Sequence, residues 1–289
     1  MGRMAWFLSD SLPEYSATAG GLLRANPGRN TILLGVTETL RARGLDAFGA
    51  TLPLFGWWQE PGEGEVSAAF LHTPPFPAAL TSMADQTAVA LAQELARRGR
   101  MLGGVNADPP VATVFAAAWH ELTGNAVEER MQSRLYQLGK LKPPGPFPPG
   151  QARVAGPADR SLIIAWSEAF HEEARTGPRH VAGLVDDRLS YRGYRLWERA
   201  GQPVSLAGLT RQVAGQVRVG PVYTPPAQRG QGYGGAATWA VSQAARDAGA
   251  SEVVLFTDLA NPTSNALYQR LGYQAVADRT VLAFRKGVL

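Results

Sequence analysis

Along residues 161–174, SLIIAWSEAFHEEA, the apolar positions Leu162, Ala165, Trp166, Ala169 and Phe170 recur at three- and four-residue steps. That period predicts an amphipathic helix with one face turned to a core. Residues 181–192 repeat it more weakly. YRLWER (194–199), PVSLAGLTRQ (203–212) and QVRVGPVY (216–223) then read as three consecutive strands, with turns at RAGQ and around Ala214-Gly215. Tyr233 to Ala248 is an alanine-rich helix closed by Gly249, and SEVVLFTD (251–258) is a short apolar strand of the buried parallel kind. Asn261-Pro262 starts a helix, with Asn as N-cap and Pro in the first turn. That helix runs to Leu271, where Gly272 suits a left-handed terminal residue. A last strand covers 279–285. The order α-α-β-β-β-α-β-α-β predicts an α/β (α+β) fold, a mixed sheet flanked by helices.

Upstream, five prolines fall between positions 143 and 149 in KLKPPGPFPPGQARVAGPADR. Such a run favours an extended connector and excludes helix or central strand. It predicts domains at 1–142 and 151–289, joined by a linker at 143–150. The two halves resemble each other. VSAAFLHTPP (66–75) aligns with VRVGPVYTPP (217–226) at an offset of 151, and NADPPVATVFAAAWHELTGN with DLANPTSNALYQRLGYQ at nearly the same offset. SRLYQL (133–138) sits where TVLAFR ends the second half. Three segments in one order predict a tandem pair of like domains. After TPP the second half has AQRGQGYGGAA, whereas the first has FPAALTSMADQ, without glycine.

Composition narrows the chemistry. Of 289 residues 45% are hydrophobic and 18% charged, which fits a globular chain rather than a disordered one. No run approaches the roughly 18 apolar residues of a membrane span. Asp10 and Glu14 interrupt the N-terminal stretch too early for a secretory core, so the expectation is a soluble cytoplasmic protein. The absence of cysteine excludes disulfides, thiolate zinc sites and a cysteine nucleophile. The net charge of +4 rests almost wholly on arginine, with lysine only at 140, 142 and 286. Those arginines are scattered, so no nucleic-acid footprint is expected. Four histidines, His72, His120, His171 and His180, form no metal pattern, and no metal is expected.

The segment TPPAQRGQGYGG (224–235) joins the strand 216–223 to the helix that follows. Glycine suits a backbone that must approach a ligand closely, because any Cβ would intrude. A Walker A loop fails, since no Gly-Lys-Ser/Thr follows. The string also fits G-x-G-x-x-G, but six residues separate Tyr223 from Gly230, and only 54 follow Gly235. Both facts argue against a dinucleotide fold, which needs its first glycine at the strand end and more βαβ units beyond. A helix N-terminus offers successive N–H groups and the positive end of the dipole, a place for a pyrophosphate.

Arg229-Gly230-Gln231-Gly232-Tyr233-Gly234 matches R/Q-x-x-G-x-G/A, the motif of the GNAT superfamily of acyl-CoA-dependent N-acyltransferases. The downstream NPTSNALYQRLGY resembles that family's second signature. The resemblance covers about 153–286 and extends more faintly to the first half, as in tandem GNAT proteins with one degenerate copy. It implies an N-acetyltransferase using acetyl-CoA and a primary amine acceptor on a small molecule or peptide, through direct attack in a ternary complex. The pantetheine arm would lie along Val222, Tyr223 and Thr224, where the strand splays from 252–258. The diphosphate would rest on Gly230, Gln231, Gly232, Tyr233, Gly234 and Gly235. Arg229 adds charge there or caps the surface, and Asn261 faces the coenzyme or only caps its helix. Tyr268 matches the position of the acid that protonates the leaving thiolate. The strand VRVGPVY lacks the glutamate base many relatives carry, leaving Glu252, Glu198, Glu168, His171 and Glu172 as candidates, or water. Phe55, Trp57 and Trp58 would line an acceptor groove or a core. A monomer is expected, with the first domain as internal partner. The rival reading is an acyl-CoA sensor without turnover.

Overall fold

In the computed structural model, which describes residues 5–59, 64–174 and 181–286, the apolar periods become two similar series of elements. The first is β1 (Ala5–Ser9), α1 (Leu12–Thr18), α2 (Gly20–Ala25), α3 (Thr31–Arg43), β2 (Leu54–Gln59), β3 (Ala68–His72), β4 (Ala78–Leu80), α4 (Asp85–Arg97), β5 (Gly104–Ala107), α5 (Pro109–Thr123) and β6 (Ala126–Leu138). The second is β7 (Gln151–Val154), α6 (Arg160–Glu173), α7 (Val181–Ser190), β8 (Tyr194–Arg199), β9 (Gln202–Leu209), β10 (Gln216–Tyr223), α8 (Tyr233–Asp247), β11 (Glu252–Asp258), α9 (Pro262–Arg270) and β12 (Tyr273–Arg285). Each is a mixed sheet with helices packed on it.

Two units divide the chain, 1–134 with 277–289 and 135–276. These limits differ from the 142 and 151 suggested by the proline run. The reason is local: β6 and β12 are 13-residue strands without glycine or proline, so nothing stops either within a unit. In the first unit the strand order is β1-β2-β3-β4-β5-β12. Thr280 to Ala283 pair antiparallel with Ala107 to Gly104. Phe284 stacks on Phe115 and Trp119 in a core with Phe70, Leu91, Leu95 and Val105. Burying each such side chain contributes about 1.5–3 kcal/mol. Arg279 is buried beside them, its Nε donating to Asn106 Oδ1 at 2.9 Å and its Nη2 to the Leu80 carbonyl at 3.0 Å.

In the second unit the order is β6-β11-β10-β9-β8-β7. Ala200 (φ 49°) and Gly201 (φ 75°) make the two-residue turn between β8 and β9, and Ala214 (φ 51°) and Gly215 (φ 77°) a second one before β10. Strand β7, four residues just after the prolines, is too short to show a period and was not expected. The helix predicted from 161 is present as α6, but its buried face centres on Ile163 and Ser167, and Ala165 is exposed. The proline run packs against this unit. Phe147 stacks on Trp197 at 6.1 Å and meets Trp239 edge-on at 5.0 Å, while Trp197 Nε1 donates to the Pro149 carbonyl at 3.2 Å.

Strand directions correct the expected alignment of the repeats. In β2-β3-β4-β5 the pairings run antiparallel, antiparallel, parallel, and β8-β9-β10-β11 do the same. The counterpart of β10 is therefore β4, whereas matching the two TPP segments equates it with β3. The true counterpart of Thr224 is Thr81. Between strand and helix the first unit has only residues 81–84, against 224–232 in the second.

Candidate functional site at a strand split and a glycine loop

Strand β10 pairs with β11 only from Gln216↔Glu252 to Val219↔Leu255. Beyond that both strands continue, to Tyr223 and Asp258, without a ladder between them. Gly220-Pro221 sits at this point. Proline lacks an N–H, and the β10–β9 register shifts between Val219 and Val222 before resuming at Val222↔Ala207 and Tyr223↔Leu206. The result is a wedge between two parallel strands, with β10 held on its far side by β9. Ser205 Oγ pins the corner, donating to the Tyr223 carbonyl at 3.1 Å and lying 2.9 Å from Thr224 Oγ1.

The glycine loop follows directly. Gly230 (φ 76°) and Gly232 (φ 83°) are left-handed, and Gly232 is the N-cap of α8. No side chain caps this helix and its first turn holds no acidic residue. The N–H groups of Tyr233, Gly234 and Gly235 have no intrahelical acceptor by helix geometry. A Cβ on Gly235 would come within 2.9 Å of Leu267 Cδ1 on α9, and one on Gly234 within 3.2 Å of Thr224 Oγ1. Two glycines thus serve backbone conformation and two serve close approach.

Arg229 does not point freely into the loop. Its Nε donates to the Thr224 carbonyl at 2.9 Å, and its Nη2 reaches both carboxylate oxygens of Glu173 on α6 at 2.7 Å. It braces the loop, its charge paired with that carboxylate. A second cation, Arg199 at the end of β8, donates from Nη1 to the Tyr233 hydroxyl at 3.2 Å and to Gln231 Oε1 at 3.4 Å. Gln231 and Tyr233 are joined by a further bond of 3.1 Å, and the Tyr233 ring is buried. Sequence reasoning missed Arg199 because only the fold brings β8 beside the start of α8.

Helix α9 is fixed at its entrance by Asn261, whose Oδ1 accepts from the Ser264 N–H at 3.0 Å. Its side chain is thus a cap here. Asn265, not singled out from the sequence, donates to the Asp258 and Asn261 carbonyls at 2.9 and 2.8 Å and accepts from the Tyr136 hydroxyl at 2.9 Å. These bonds tie the helix to β11 and β6. Tyr268 is buried in one apolar cluster with Val219, Tyr233, Leu255 and Tyr273, with Val222 packed against it. Burial pushes its phenol up to about 12, which keeps the proton on the oxygen.

The candidate bases separate by geometry. Glu198 accepts from Arg153 Nε at 2.6 Å, and Arg153 also grips Asp159, so this carboxylate is committed. Glu252 pairs at the closed end of the β10–β11 ladder, away from the split. Glu168 and Glu172 are exposed. His171 lines a cavity that reaches Gly220 and Pro221. His180 lies outside the described residues. In the first unit, His72 is buried; burial and the Arg100 charge hold it down to about 4. Phe55 stacks on Tyr15 at 5.0 Å, Trp57 on Phe7 at 6.1 Å, and Trp58 lies 5.8 Å from Trp6, so the three aromatics pack inside that unit. Among the described residues no group of three or more His, Cys, Asp or Glu could hold a metal ion, and no helix is long and apolar enough to cross a membrane.

Residues 161–273 match the family model described as Acetyltransferase (GNAT) family. No match was found among curated proteins by sequence. Among solved structures the chain is similar to a Drosophila protein (12% identity, all of both chains covered, TM-score 0.67). It is also similar to a GCN5-related N-acetyltransferase from Sphaerobacter thermophilus (18% identity, 98% of this chain and 97% of the other, TM-score 0.63). A tandem GNAT protein from the clavulanic acid biosynthesis pathway matches over 99% of this chain and 100% of its own, at 14% identity and TM-score 0.58. At these identities the likeness establishes a shared fold, extending over both series of elements.

Proposed function

We propose, from the premise that residues 161–273 form a GNAT acetyltransferase domain, that the protein moves an acetyl group from acetyl-CoA to a primary amine in a ternary complex. The observation that carries this reading is the wedge beyond Val219 and Leu255, lying beside an uncapped, glycine-lined helix N-terminus. The residues present fit the coenzyme. Left-handed glycines and the absence of an acidic first turn suit a diphosphate on the amides of 230–235, with Arg199 adding positive potential and Arg229, paired with Glu173, bracing the loop. Backbone groups of Val222, Tyr223 and Thr224, free of β11, suit an extended pantetheine amide chain. Asn261 remains a helix cap.

Bound acetyl-CoA supplies a thioester: the acceptor nitrogen forms a C–N bond to its carbonyl carbon, the C–S bond breaks, and the thiolate takes a proton. A backbone N–H near Val222 stabilises the carbonyl oxygen as negative charge develops on it. Tyr268 holds a proton at Oη for the departing sulfur. His171, on the cavity beside Gly220 and Pro221, accepts the proton that the acceptor nitrogen must lose, directly or through water. The first unit, with a strand-to-helix segment of only 81–84 and no glycine in it, is a degenerate copy without a coenzyme cradle. The protein acts as a monomer.

A thiol-release screen with acetyl-CoA and panels of amines and peptides tests the reaction. Release that depends on both partners, with acetylated product by mass spectrometry, is the expected outcome. Coenzyme binding with no turnover across all panels would instead favour an acyl-CoA sensor.

A further inference from the structure

The cavity beside the strand split holds about 240 Å³ and carries two guanidiniums, those of Arg188 on α7 and Arg218 on β10. Strand alternation explains the second. Val217 and Val219 are buried with α8 on one face of β10, which turns Arg218 to the other face, under α6 and α7. There its Nη1 is sealed from solvent and has no hydrogen-bond partner among the described residues. Arg188 Nη1 donates to the Gly220 carbonyl at 2.7 Å, and its guanidinium lies 5.7 Å from the Tyr194 ring centroid.

Two half-buried cations lining one cavity are unfavourable unless something negative joins them. Burial and the neighbouring Arg188 charge lower the Arg218 pKa to about 10, which still leaves it charged at neutral pH. Among the described residues the carboxylates of the two helices above are exposed or engaged with other arginines, Glu168 and Glu172 being exposed. Asp186 pairs with Arg160 at 2.6 Å, Asp187 with Arg211 at 2.7 Å, and Glu173 with Arg229 at 2.7 Å. None of the residues lining the cavity is acidic. A protein that keeps two guanidiniums in a cavity without a counterion has left room for an anion brought from outside.

We propose that Arg188 and Arg218 form the anion subsite of the acceptor, so that the amine acetylated is a small amino acid or a like compound bearing a carboxylate. This rests on the acyl-transfer reading above. The position agrees with it, since the same cavity reaches Gly220, Pro221 and Phe256, where β10 and β11 part. Gly220, whose carbonyl Arg188 holds, lies two residues before Val222, on the order of 6–7 Å along a strand. That span suits a carboxylate and an amine separated by a few carbons and is too short for a peptide lysine with a distant acid.

The test compares the standard amino acids, β-alanine and γ-aminobutyrate with their methyl esters and with the decarboxylated amines, using the full chain at saturating acetyl-CoA. The acid is expected to exceed its ester about tenfold or more in kcat/KM, mostly through KM, as loss of a charged hydrogen bond implies. In Arg218→Gln the acid-to-ester ratio should fall towards one, and Arg218→Lys should restore part of it. Thermal melts check that each variant folds. Esters or plain amines accepted as well as acids would overturn the subsite while leaving acyl transfer intact. A second readout needs no turnover: N-acetyl amino acids titrated calorimetrically against their neutral amides. Preferential binding of the acids, lost in Arg218→Gln, supports the subsite; equal or absent binding refutes it. Failure of acetyl-CoA itself to bind would sink the acyl-transfer reading separately.

Discussion

Replacing Tyr268 with phenylalanine deletes one oxygen and leaves the ring in place. The ring is 8% exposed and packs 6.1 Å from Tyr273, a contact phenylalanine keeps. Burial lifts the phenol from 10.0 to about 12 and so favours its protonated form. At neutral pH the phenol therefore keeps its proton, as the proposed acid must. Removing a positioned acid costs about 10²- to 10⁴-fold in rate, or about 3–5 kcal/mol on the barrier. On the proposed reading the sulfur would leave beside this phenol, where low polarity raises the pKa of a thiol as well. Initial rates by thiol release, with the affinity for acetyl-CoA from calorimetry, decide the matter. The expected variant loses at least about 100-fold in kcat, binds the coenzyme within about twofold of wild type, and melts within about 2 °C of it. A Tyr268→Phe protein with wild-type kcat would refute the acid assignment. A joint loss of rate and affinity would reassign Tyr268 to packing.

Gly232→Ala places a side chain at φ 83° and should lose about 1–2 kcal/mol in denaturant titrations, together with at least a tenfold weaker affinity for acetyl-CoA. Gly272→Ala, at φ 98° with its Cβ driven into the Lys140 carbonyl, should cost about 3 kcal/mol by the same measurement. Glu173→Ala removes a half-exposed ion pair worth about 0–1 kcal/mol, so melting should barely change. Acetyl-CoA binding should hold or tighten as Arg229 is released, and a weakened affinity would count against that role. The pH dependence of melting has two limits. Tyr268 and Tyr191 are both pushed up by burial to about 12, so the folded state holds their protons more tightly; stability is full below pH 10 and falls as pH rises through 12. Asp159 and Asp278, lowered by hydrogen bonds from Arg153 and Arg134, contribute stability above the ordinary aspartate range and lose it as pH falls below.

What the chain discloses locally it discloses well. Strands β8 and β10, the N-cap at Asn261 and the glycine loop each follow from neighbours in sequence: a period, a cap residue, a cluster of glycines. The split was expected from the family resemblance, and Gly220-Pro221 is where the structure places it, since both residues weaken regular pairing. Contacts set by the fold were not legible. Arg199 meets Tyr233 from 34 positions away, and Arg134 binds Asp278 bidentately across 144. No local pattern marks either arginine. The repeat misled by one strand because TPP recurs after β3 and after β10, and a three-residue likeness carries no strand direction. Arg188 and Arg218 lie 30 positions apart in unremarkable segments, so only their meeting in one cavity reveals them.

Titration of acetyl-CoA into the full chain by calorimetry tests the glycine cradle most directly. Saturable binding of one coenzyme per chain is expected, competed by pyrophosphate and weakened by added salt as an anion on a helix N-terminus should be. Absence of heat from the wild-type protein, or binding that Gly232→Ala and pyrophosphate both leave untouched, would contradict it.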